Sequence, residues 1–78
     1  MKVTRSFDAI RARPDRARIR DAWVERAIRQ PIREAVQPDG RMQRWAQIAE
    51  AESRYLRVVL LEDGETVHNA FFDRGFVR

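Results

Sequence analysis

Seventy-eight residues, 44% of them hydrophobic and 36% charged, with a net charge of +4, describe a folded chain rather than a disordered one. A chain this short buries roughly 60% of its unfolded surface, so one domain spanning 1–78 with one small core is expected. The absence of cysteine excludes a disulfide framework and a thiolate metal site. It fits a reducing, cytoplasmic setting. No apolar run has signal-peptide length and none reaches about 20 residues, so neither export nor a membrane association is expected.

The charge is unevenly placed. Residues 1–30 hold nine cations and four acids, and residues 31–78 hold seven cations and eight acids, so the first third is the basic part. Fifteen of the sixteen cations are arginine, the residue suited to bidentate phosphate contacts. The same pattern also arises from a solvated helix face in a chain whose codons favour arginine.

In chain order, Met1 to Arg5 is either frayed or a brief edge strand around Val3. Ser6 is placed to cap a helix over 6–13, with Phe7 and Ile10 on one face. Pro14 ends it, because the residue before a proline is pushed out of helical geometry. Asp15 then opens a second helix over 16–29. Ile19, Trp23 and Ala27 recur every fourth residue, and Val24 and Ile28 widen that stripe. Gln30-Pro31 stops it. Trp23, in the middle of the stripe, reads as a core anchor.

After Pro31 the period changes. Residues 32–37 alternate as a strand, Pro38-Asp39-Gly40 is a turn, and 41–48 return. In the returning strand Met42, Arg44, Ala46 and Ile48 share one face. Trp45 lies on the other among polar neighbours, and is expected to be half-exposed. Residues 49–54 read as a loop or a helical turn. Strands over 55–62 and 66–72 follow, joined by Asp63-Gly64, the strongest short-range hairpin signal. That turn predicts Leu60 opposite Val67, Val58 opposite Asn69 and Leu56 opposite Phe71 on the core face. On the other face it predicts Val59 opposite His68, Arg57 opposite Ala70 and Tyr55 opposite Phe72. Phe76 is expected to tuck back after a turn at Asp73-Arg74-Gly75. The fold class is therefore α+β, with two N-terminal helices packed on a four-stranded antiparallel meander.

The pattern Trp23-Val24-Glu25, Pro31, Gln37-Pro38-Asp39-Gly40-Arg41, Arg44-Trp45, Tyr55 to Val59 and Thr66 to Arg74 resembles a group of short bacterial proteins of uncharacterised function. Those are distantly similar to the RelE/ParE-like toxins, whose members pack an N-terminal helix pair on an antiparallel sheet. The resemblance implies action on RNA or the ribosome, an antitoxin partner, and a site at Arg57 and His68 with Tyr55 nearby.

RNA cleavage through the 2′-hydroxyl needs an acid, a base and a cation for the phosphorane-like transition state. His68 is a candidate acid or base, because a reference imidazole changes charge near neutral pH, and Arg57 is suited to hold the phosphate. Tyr55, Arg41, Arg44 and Arg74 are candidates to position RNA, and Trp45 to stack a base. The alternatives are that His68 is a half-buried strand residue bonded to a neighbour, and that Asp73 and Arg74 form a local ion pair. No cofactor is implied: one histidine and no cysteine leave only carboxylates for a metal, and no glycine-rich phosphate loop is present. A second hypothesis is a non-enzymatic interaction module, in which the sheet edge or a Trp45/Tyr55/Phe72 surface recruits a partner or a second copy.

Overall fold

A computed structural model describes residues 1–15 and 18–78. The elements are α1 (Arg5–Ile10), α2 (Asp21–Arg29), β1 (Arg33–Val36), β2 (Met42–Ile48), a 3-10 turn (Ala49–Ala51), β3 (Arg54–Leu60) and β4 (Val67–Phe72). The four strands lie in the order β1-β2-β3-β4, each antiparallel to the next. The protein is α+β, as the sequence predicts.

The helices differ from expectation at their starts, and α1 ends at Ile10, three residues short of the end expected before Pro14. Thr4, not Ser6, caps α1, its hydroxyl accepting the Phe7 N–H at 3.0 Å. Helix α2 begins at Asp21, where a helix from residue 16 was expected. Residues 16 and 17 lie outside the described residues, and 18–20 are not helical. Arg18 and Arg20 would place cations at the positive end of the helix dipole, whereas Asp21 supplies the favourable first-turn acid. Arg26 and Arg29 sit in the last turn, where the dipole welcomes them. Arg26 also reaches Glu50 with two bonds, at 3.2 and 3.0 Å, and ties α2 to the 3-10 turn.

Both glycine turns form. Gly40 takes φ of 90° and Gly64 takes 69°, a region that side chains with a Cβ resist. Asp63 holds the second turn by accepting the backbone N–H groups of Glu65 and Thr66 and the Thr66 hydroxyl. Val3 forms a bridge to Val67, so a short N-terminal segment runs along the outer edge of β4.

The helices cover one face of the sheet. Trp23, Val24, Leu56, Val58, Leu60 and Val67 are among its buried side chains, with Ile19 and Ile28 partly buried against them. The β3–β4 register begins as expected, with Leu60 opposite Val67, and then slips by one residue. His68 is the extra residue of a β-bulge, so Val59 meets Asn69, Val58 meets Ala70, Arg57 meets Phe71 and Leu56 meets Phe72. The slip has a physical reason. An unbroken ladder would seat Asn69 opposite Val58 in the core, where an unpaired amide costs about 1–3 kcal/mol. The bulge puts Ala70 there instead, 1% exposed, and sends Asn69 outward. It also exchanges the two phenylalanines. Phe72 turns to the helices, its ring 6.3 Å from Trp23, and Phe71, expected in the core, faces away.

Candidate functional site: a cation and aromatic row on the open sheet face

The face away from the helices is built by register. Arg33 on β1 pairs with Trp45 on β2, Trp45 pairs with Arg57 on β3, and Arg57 pairs with Phe71 on β4. One lateral row therefore crosses all four strands as cation, ring, cation, ring. The Arg57 guanidinium carbon is 4.5 Å from the Phe71 ring centroid and 5.9 Å from that of Trp45. At a strand spacing of about 4.8 Å, Arg33 and Arg57 are roughly 10 Å apart across the sheet. Among the strand positions of this face none is acidic.

The residues after β4 cross the same face. Asp73 closes a turn by accepting the Gly75 N–H, and its N–H donates to the Tyr55 carbonyl at 2.8 Å. Phe76 then tucks back, as the sequence predicts, and its ring comes to lie on this row. Its ring is 5.4 Å from Trp45, 4.7 Å from Tyr55 and 4.8 Å from the Arg33 guanidinium carbon. Trp45 is consequently buried, 7% exposed, where half-exposure was expected. The polar neighbours flanking it in β2 concealed a cover that comes from thirty residues further along the chain.

Asp73 is the acid of this face. It accepts the Trp45 indole N–H at 3.0 Å and lies 3.4 Å from Arg57 Nε. That Nε–H is buried and has no hydrogen-bond partner among the described residues, so Arg57 and Asp73 attract as charges rather than through a directed bond. The indole N–H, then the Gly75 N–H and the Arg57 charge, hold the Asp73 carboxyl below its ordinary range against the opposing effect of burial. Asp73 thus accepts from Trp45 and faces Arg57 as an opposite charge, and among the described residues the expected ion pair with Arg74 is not formed.

The predicted site residues are divided by the fold. Tyr55, Arg57 and Trp45 come together on the open face. Arg44 lies on the helix-side face, where its guanidinium donates to the Ile28 carbonyl at 2.9 Å and to Glu34 at 2.8 Å. Arg41 stands in the β1–β2 turn, 3.7 Å from Asp39. Arg74 is exposed beside a groove of about 350 Å³ that Arg54, Tyr55 and Phe76 also line. His68 does not sit beside Arg57, as the unbroken register had predicted. Its Nδ1 is 3.2 Å from the Thr4 hydroxyl, at the cap of α1. The Trp45/Tyr55/Phe72 surface is likewise not assembled, since Phe72 belongs to the helix side.

Arg33, Phe71 and Phe76 complete the row, and sequence reasoning gave none of them that role. The paired polar residues His68-Asn69 were the available signal, because they break the alternation at the bulge. Among the described residues no three His, Asp or Glu side chains gather as a metal site requires, and no helix is long and apolar enough to cross a membrane. Neither a protein-family model, a curated protein nor a solved structure matches the chain.

Proposed function

We propose that this protein binds single-stranded RNA on the open face of its sheet, without cleaving it. The observation that carries this is the row Arg33, Trp45, Arg57 and Phe71, which alternates cation and ring across four strands. Guanidinium groups pair with phosphate, and rings offer bases a stacking surface that tolerates any sequence. The lack of acids at the strand positions of that face leaves little to repel a polyanion, and Asp73 is already matched to Trp45 and Arg57. Binding without cleavage is supported by His68, which meets Thr4 instead of joining Arg57 as acid or base.

The test is fluorescence anisotropy of a labelled RNA of roughly eight nucleotides, within the range of single-strand site sizes. Arg57→Gln should weaken binding and lower the salt slope by about 0.7, the value for one phosphate contact on a single strand. Arg44→Met, on the helix side, should leave affinity unchanged. The RNA should be recovered intact. Equal losses for both variants, or an affinity matched by heparin of the same charge, would leave only unspecific attraction.

A second reading is favoured by β1. All four of its residues are exposed, and Val36 is 69% exposed. The opposite edge of the sheet is bridged by Val3, so β1 is the edge open to a further strand. Under this reading the protein self-associates through β1, and Val36→Lys lowers its mass in solution. A monomer at all concentrations excludes it.

A further inference from the structure

We infer that Phe76 occupies, in the free protein, the place of a nucleobase on the Trp45–Tyr55 surface, so that an unpaired base of the RNA must displace it to bind. This rests on the RNA-binding reading above. The ring of Phe76 lies on Trp45 with an interplanar angle of 28°, which is how a stacked base would lie, and the Arg33 guanidinium is 4.8 Å from its centre. Trp45 is the largest ring of the row and is the one it hides. The remaining partners of a bound nucleotide, Arg33 and Arg57, flank Trp45 directly in the ladder.

The cover is held weakly. The Phe76 N–H reaches the Asp73 carbonyl at 3.5 Å, the limit of a hydrogen bond. Arg33 donates to the Val77 carbonyl at 3.1 Å and Arg78 to Gln47 at 3.4 Å, both on the surface. Val77 is 78% exposed, and only its carbonyl ties it to the sheet. Releasing residues 75–78 therefore breaks a few solvent-accessible bonds and the contacts of the Phe76 ring with Trp45, Tyr55 and Arg33, and leaves the core on the helix side untouched. Arg33 and Arg57 would then be free to turn from intramolecular contacts to phosphate. The segment acts as a competitive strap: it keeps the apolar ring dry when no RNA is present and sets a threshold on affinity.

Anisotropy with the same RNA separates the possibilities. Phe76→Ala should tighten binding by at least roughly three- to tenfold, the equivalent of losing the Trp45 pair alone. Phe76→Tyr, which keeps the ring, should bind as the wild type does. Wild-type binding that Phe76→Ala weakens or leaves unchanged would overturn the strap and leave the RNA reading intact. Absence of binding by all three proteins would overturn the RNA reading and the strap with it. Should Phe76→Ala fail to fold, the wild type suffices. Nuclear Overhauser contacts between the Phe76 ring and the Trp45 indole should disappear on saturation with RNA, and their persistence in the saturated complex would refute displacement.

Discussion

Replacing Trp23 by alanine should cost the fold a large share of its stability. Trp23 is 9% exposed, sits in the middle of the α2 stripe and packs against Phe72 on the far strand of the sheet. Truncating a buried tryptophan to alanine costs about 3–5 kcal/mol, part from lost burial and part from the cavity left behind. Native stability of roughly 0.05–0.15 kcal/mol per residue gives this domain about 4–12 kcal/mol in total. At about 4 °C per kcal/mol, the lower limit for a domain of this size, even the smallest loss lowers the melting midpoint by about 12 °C. A loss of about 5 kcal/mol exceeds the lower end of that range and would unfold a domain whose stability lies there. Circular dichroism follows the transition, and because the chain has two tryptophans, the variant leaves Trp45 as the sole emitter on the opposite face. A cooperative transition within a few degrees of the wild type would show that Trp23 does not anchor the core and that the helices are packed on the sheet in some other way.

Two further outcomes follow from local geometry. Thr4→Ala removes the cap of α1 and the partner of His68, so it should lower stability by about 0.5–2 kcal/mol and speed amide exchange across 5–10, while Thr4→Ser restores both. Acid should destabilise the fold in a defined window. Asp63 is held down to about 2 by the Thr66 hydroxyl and the N–H groups of Thr66 and Glu65, and Glu50 to about 2 by Arg26. Folded values below the unfolded ones mean stability that is present above the ordinary carboxylate range and lost as protons bind. The melting midpoint should therefore be level from pH 7 to about 5 and fall between about 4 and 2, and an unchanged midpoint across that lower interval would contradict those contacts.

Much of the fold was legible because its signals are local. The α2 stripe, the two glycine turns and the apolar strands each announce themselves within a few residues. The turn at Asp63-Gly64 correctly set Leu60 opposite Val67, and failed one residue later. A period of two cannot foresee an extra residue, yet the cost of burying Asn69 was visible in the sequence and argued for one. Missing the bulge exchanged Phe71 with Phe72 and put His68 opposite Val59, diagonally beside Arg57 on the open face. The exposure of Trp45 was misjudged for a different reason. Its cover is a long-range contact from Phe76, which strand alternation does not encode. Arg33 escaped notice because only the register carried across two ladders, through Trp45, lines it up with Arg57.

The most direct test is a residue-by-residue map of RNA binding by NMR. Titrating the short single-stranded RNA into labelled protein should shift the side-chain resonances of Arg33 and Arg57, the ring of Phe71 and the indole N–H of Trp45. The amides of α1 and α2, and the imidazole of His68 at the Thr4 cap, should stay in place. Shifts confined to the helices or to His68, with the open face silent at saturation, would contradict the assignment of the row as the RNA-binding surface.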